Sequence, residues 1–146
     1  MSQPLTTIEL TELADILQEG GFRAEFDLSD PEAPFLRSGS QGLYWRLDIA
    51  KDDDELSTRL EYWMALGVAN ETVATKVCRA FNMDSPVGNA FHDTVGEDND
   101  VMVIIQHFAF LAGGVTREWI AEDLSRWDLA VSTAAAKRVE YSDTPI

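Results

Sequence analysis

VMVIIQHFAFLAGGVTREWIAEDLSRW, residues 101–127, reads as a long apolar strand, a Gly-Gly turn and an amphipathic helix that folds back over the strand. Along the strand, Val101, Val103, Ile105 and Ala109 share one face and Met102, Ile104, Phe108 and Phe110 the other, because successive strand side chains point to opposite sides. A strand half-buried in an antiparallel sheet has one polar face, whereas this one has none. Either two layers cover it, or one face waits for a partner. In the helix, Thr116 stands at the N-cap, Glu118 suits the positive end of the helix dipole, and Ile120, Leu124, Trp127, Val131 and Ala134 form the apolar stripe.

Upstream, the turn-forming residues GEDND at 96–100 connect this strand to a shorter one over 87–95, a hairpin pattern. Before it, Asn70 caps a helix over 70–82 whose buried stripe holds Val73, Val77 and Phe81 beside Ala74 and Cys78. Residues 51–67 fit two patterns. Asp53 or Asp54 can cap a helix with Leu56, Leu60 and Trp63 or Met64 inward; equally, Leu56, Thr58, Leu60, Tyr62, Met64 and Leu66 alternate as in a strand. Over 43–49, Leu43, Trp45, Leu47 and Ile49 alternate with Tyr44, Arg46 and Asp48, a strand with a polar outer face. Residues 29–42, with Pro31, Pro34, Gly39 and Gly42, read as a loop holding a short extended piece at Phe35 and Leu36. Phe22, Ala24, Phe26 and Leu28 alternate as a first strand, and Thr6 or Thr7 caps a first helix that buries Leu10, Leu13, Ala14 and Leu17 and stops at Gly20 and Gly21. The polar tail from residue 137 is expected to fray.

With 146 residues, 45% of them hydrophobic and 25% charged, the chain fits one folded domain over 1–146. A formal charge of −15 repels phosphate backbones and anionic membranes, which argues against nucleic-acid and membrane partners. Cys78 is the only cysteine, so no internal disulfide forms. The N-terminus lacks the basic and apolar regions of a signal peptide, and no stretch approaches the roughly twenty apolar residues of a membrane span. A cytoplasmic protein with Cys78 reduced is expected.

Catalytic chemistry is hard to assemble. The histidines, His92 and His107, have no serine in a G-x-S-x-G setting to activate, and each reads more simply as a satisfied structural residue. Cys78 lies on a buried helical stripe without a cationic neighbour in sequence, so it reads as an inert core thiol. The acidic runs at Asp52, Asp53, Asp54 and Glu55 and at Glu97, Asp98 and Asp100 lack the spacing of a calcium loop and read as solvated turns. GGVT lacks the rest of a dinucleotide fingerprint and the lysine of a P-loop, so a tight strand-to-helix turn accounts for it. No catalytic, metal or cofactor residues are expected.

The run FAFLAGGVTREWIAEDLSRW at 108–127, and more loosely the strand ending near Leu66 with the helix after it, resembles the YbjN family of bacterial proteins, often labelled sensory transduction regulators. That family is similar in fold to the class I type III secretion chaperones. The resemblance implies an α+β fold in the order helix, three strands, helix, two strands, helix, with a twisted, mostly antiparallel five-stranded sheet covered by helices on one side. It favours the strand reading of residues 56–66. It also implies a dimeric, non-enzymatic protein that binds extended segments of other proteins. On this reading Trp63, Met102, Ile104, Phe108, Phe110 and Trp119 are the candidate protein-binding surface, since exposed aromatic patches often mark interaction sites. The rival is a small-ligand or metal-responsive sensor, or an enzyme, with a site where His92, His107 and the acidic hairpin converge.

Overall fold

The computed structural model describes residues 4–51 and 58–142. Helix α1 (Leu10–Glu19) is followed by strands β1 (Glu25–Asp27), β2 (Phe35–Ser40), β3 (Leu43–Lys51) and β4 (Thr58–Gly67), helix α2 (Glu71–Asp84), strands β5 (Asn89–Val95) and β6 (Asp100–Phe110), and helix α3 (Arg117–Glu140). One six-stranded sheet has the order β1-β2-β3-β4-β6-β5, antiparallel throughout. The apolar strand β6 is therefore interior, with β4 on one side and β5 on the other.

Strand alternation and burial assign the two faces. Leu36, Leu47, Tyr62 and His107 lie in one register row across β2, β3, β4 and β6; Trp45, Met64, Ile105 and Ala90 lie in the next. These rows face the helices. Leu13 and Leu17 of α1, Val73, Val77 and Phe81 of α2, and Ile120, Leu124, Trp127 and Val131 of α3 are buried with them in one core. Trp127 is wholly enclosed, its ring 6.1 Å from that of Trp45 and 5.2 Å from that of Tyr62. Enclosing a large apolar side chain of this kind contributes roughly 1.5–3 kcal/mol. The stripe read from the sequence of α3 is the stripe that is buried. Asn70 and Thr116 cap their helices as expected, accepting from the N–H groups of Val73 at 2.9 Å and Trp119 at 3.0 Å.

The sheet has one strand more than the sequence pattern suggested. β2 arises within the expected loop at 29–42, and its composition, FLRSGS, hid it because little of it is apolar. Its pairing rests on the backbone. Gln41 and Gly42 take φ of 55° and 76°, a two-residue hairpin turn whose twist matches the flanking strands and sets Ser40 opposite Leu43. β1 is shorter than its alternation suggested. Leu28 lies beyond it and Phe26 is 45% exposed, whereas Asp27 is buried. The Asp27 carboxylate accepts from Ser29 N–H at 3.0 Å and pairs with Arg37 at 2.5 Å, and these bonds hold it below the usual carboxylate range.

Residues 58–67 form a strand and not a helix; the acidic run Asp52, Asp53, Asp54 and Glu55, with Leu56, lies outside the described residues. Neither Thr6 nor Thr7 caps α1, whose N-cap is Glu9 without a side-chain bond. The preceding backbone is used as a stitch instead. Leu5 pairs with Val115 through bonds of 2.5 and 2.9 Å, and the Thr6 carbonyl accepts from Thr58 N–H at 2.7 Å. At the other end α3 continues through residues 137–140, which were expected to fray, because Lys137 reaches Asp84 at the end of α2 at 2.6 Å.

That stitch depends on the Gly-Gly turn. Gly113 and Gly114 have φ of 85° and 87°; a Cβ on Gly113 would meet nothing within 4 Å, whereas one on Gly114 would lie 2.9 Å from Pro4 Cβ. Gly113→Ala should cost only the left-handed backbone penalty, about 1–2 kcal/mol. Gly114→Ala should cost more. Urea unfolding of both variants tests the order, and equal losses would show that the Pro4 contact yields freely.

Candidate functional site

Among the described residues, no layer covers the other sheet face. Its register rows, read from β3 towards β5, are Ala65, Ile104 and Phe91; Arg46, Trp63, Gln106 and Asn89; Asp48, Glu61 and Phe108; and Ala50, Arg59 and Phe110. Charge gathers over β1–β4, Arg59 and Glu61 included, and apolar surface over β6 with Trp63, Ala65 and Phe91 beside it. Of the residues expected to form a binding surface, Trp63, Met102, Ile104, Phe108 and Phe110 all fall on this face. Trp63, Met102, Ile104 and Phe108 are half-buried by their neighbours, and Phe110 is 58% exposed. Trp119 does not join them: it sits in the first turn of α3, in the helix layer, packed against the edge of the core.

Local bonds fix the shape of this surface. Arg46 grips Asp48 with two bonds of 2.6 and 2.8 Å while its guanidinium lies 3.5 Å from the Phe35 ring centre. Arg59 grips Glu61, with its Nε at 2.7 Å, and its guanidinium lies 5.1 Å from the Phe108 ring and 6.0 Å from that of Phe110. The Trp63 indole N–H donates to Glu61 at 3.3 Å, and its ring meets Phe108 edge-on at 5.8 Å. Asp48 and Glu61 oppose each other in register, as do Arg37 and Arg46, arrangements that would repel if left alone. Pairing within each strand, together with Arg37–Asp27, converts them into a checkerboard of compensated charge. Aromatic faces beneath the guanidinium groups add cation–π attraction. A trough of about 1170 Å³ runs over this face, bordered by Phe35, Tyr44, Arg46, Trp63, Phe91 and Ile104.

The histidines do not converge. His107 points to the helix side, where its Nε2 lies 3.0 and 3.1 Å from the two oxygens of Asp123 and its ring stacks on Trp127 at 6.4 Å, 14° from parallel. His92 is exposed on β5, 3.4 Å from Thr75 Oγ1, and pairs with Val103, four positions along β6 from His107, or roughly 13 Å at strand spacing. Glu97 and Asp98 lie exposed in the turn after β5, and Asp100 begins β6. Among the described residues, no group of three or more His, Cys, Asp or Glu side chains is placed to hold a metal. Cys78 is buried, and burial pushes its thiol pKa up, away from the reactive thiolate. No described helix is long and apolar enough to cross a membrane.

No family model and no curated sequence relative matches the chain. Among solved structures, its fold matches the crystal structure of YbjN, a candidate transcription regulator from E. coli, with a TM-score of 0.62 over 94% of this chain and 96% of that one. The fold is YbjN-like. At 18% identity the likeness concerns the backbone. What the YbjN-like fold does here is to bring strands distant in sequence onto one uncovered face. Phe91 and the Arg46–Asp48 and Arg59–Glu61 pairs belong to that surface although the sequence reading did not single them out. The i, i+2 spacing of opposite charges on alternating strands was the available signal for the pairs; Phe91 gave none, since its β5 neighbours are mostly polar.

The covered face carries a cost of its own. Tyr62 Oη and Trp127 Nε1 are buried with no hydrogen-bond partner among the described residues. Burial first, and then the Asp123 charge, raises the Tyr62 phenol well above its ordinary value of 10.0. A raised folded-state pKa means that the protein is not penalised below pH 10.0 and loses stability as pH rises above it towards the folded value. Tyr62→Phe should therefore leave neutral-pH stability unchanged or higher, because an unsatisfied buried hydroxyl is removed. It should also blunt the alkaline loss. Chemical denaturation from pH 7 to 11 measures both, and a variant less stable than wild type at pH 7 would indicate that the hydroxyl has a partner.

Proposed function

We propose that the chain is a non-enzymatic regulator that acts by binding protein on its uncovered sheet face, in the manner of a secretion chaperone, as a cytoplasmic homodimer. The observation that carries this reading is the single patch made by Trp63, Ala65, Met102, Ile104, Phe91, Phe108 and Phe110 on a face with no helix over it. Contiguous apolar area of this kind, rimmed by paired charges, is what a protein-recognition surface needs: an anchor region that loses water and a rim that sets register. The rim is locally compensated while the whole chain carries −15. An apolar segment therefore meets less repulsion here than the net charge suggests. The YbjN-like fold supports a regulatory role in the same direction, since the E. coli protein is described as a candidate regulator.

Ile104→Asp combined with Phe108→Ser places a charge and a small polar group at the patch centre and leaves the core untouched. The captured partner should be lost from a pull-down out of the native cell, with affinity for the recovered protein falling at least tenfold, about 1.4 kcal/mol. Circular dichroism should be unchanged. Recovery of the same partner at undiminished affinity would overturn the assignment of this face, and a wild-type monomer in light scattering would remove the dimer.

A further inference from the structure

Among the described residues the sheet ends at β5, whose far side has no neighbouring strand. β5 offers seven residues, NAFHDTV, without proline, lysine or glycine, and most of it is exposed; the opposite edge, β1, offers three. Long unprotected edges pair with other strands, since their backbone N–H and C=O groups lack partners. On β5 this edge is occupied from within the chain. The N–H of Ala90 donates to Asn82 Oδ1 at 2.8 Å, and the Ala90 carbonyl accepts from Asn82 Nδ2 at 3.0 Å. A side-chain amide making both bonds stands where the peptide group of an added strand would stand. Both backbone groups of a strand residue point to the same side, so these bonds mark the side of Ala90 turned away from β6. Ladder alternation puts the backbone of His92 and Thr94 on that side too. The Thr94 N–H donates to the Asp93 carboxylate at 2.8 Å. His92 is then the edge-facing residue whose backbone has no such partner among the described residues.

We infer that Asn82 is an autoinhibitory lock on the β5 edge, and that the strand it excludes is β5 of a second copy of this chain. A two-fold axis at His92 sets Ala90 opposite Thr94 of the second copy and His92 opposite its equivalent, so the whole of Asn89–Val95 pairs without a gap. The same register puts Phe91 opposite Asp93 of the second copy, which keeps acid from acid, and joins the two uncovered apolar faces through Phe91 and Ile104. Opening the edge fully needs rotation of two side chains, Asn82 at the end of α2 and Asp93 on β5 itself, of which Asn82 closes both backbone groups of Ala90.

Light scattering over a concentration series, at physiological and raised salt to screen the −15 charge, tests the lock. Asn82→Ala should double the mass relative to wild type and speed hydrogen exchange at Ala90 below the association range. Adding His92→Pro to Asn82→Ala should restore the wild-type mass, because proline is tolerated where an edge N–H faces outward but cannot donate to a new strand. Should Asn82→Ala fail to fold, Asn82→Ser keeps a polar side chain too short to bridge both groups and should behave in the same way. A folded lock variant that keeps the wild-type mass throughout, or an associated one that His92→Pro does not dissociate, overturns the inference. Because the readout is relative to wild type and should persist with Phe108→Ser alone, which lies away from the Phe91–Ile104 seam, association through the sheet face does not imitate it.

Discussion

The structure depends on the burial of one face of the β4–β6 pair beneath α2 and α3. Tyr62, Met64 and Leu66 from β4 and Val103, Ile105 and Ala109 from β6 form a continuous floor, and Trp127 fills the space above its centre. Everything else is placed by that contact. α3 lies where its stripe meets the floor, the Gly-Gly turn reverses the chain between β6 and α3, and the N-terminal stitch at Leu5 and Thr6 ties that turn to the start of β4. The His107–Asp123 pair sits at the rim of the same contact and aligns helix and strand through a directional bond that apolar packing does not supply.

A sheet covered once has a second face, and its treatment distinguishes this chain from a plain two-layer domain. Over β1–β4 the uncovered face is made water-compatible by Arg–carboxylate pairs laid over aromatic rings. Around β6 it is left apolar. The exposed edge receives the opposite treatment, with Asn82 and Asp93 spending side chains on backbone groups that another strand would otherwise take. The edge is thus occupied by the chain's own side chains while the face beside it is left open.

Much of this was legible in the sequence because the signals were local. The caps at Asn70 and Thr116, the stripe of α3 and the alternation of β3 and β6 follow from side-chain spacing within one element, and the doubly apolar β6 left two possibilities, a second covering layer or an open face. β2 was legible only as a short extended piece at Phe35 and Leu36, because the residues of RSGS pair through their backbone and carry no apolar period. The cap of α1 was misplaced because Thr6 is drawn into a bond with Thr58, fifty-two positions away.

The sequence by itself determined the elements and their buried sides, since periodicity is a property of a single segment: Leu124 and Trp127 must face inward together wherever α3 packs. Only the tertiary structure decided which segments share a face. Phe91 becomes part of the apolar patch because β5 pairs outside β6, His92 and His107 stay apart because they sit at different heights on that ladder, and Trp119 is set apart from Trp63 by the thickness of the sheet. Such placements follow from register and strand order, which backbone hydrogen bonds fix between segments and which no single segment encodes.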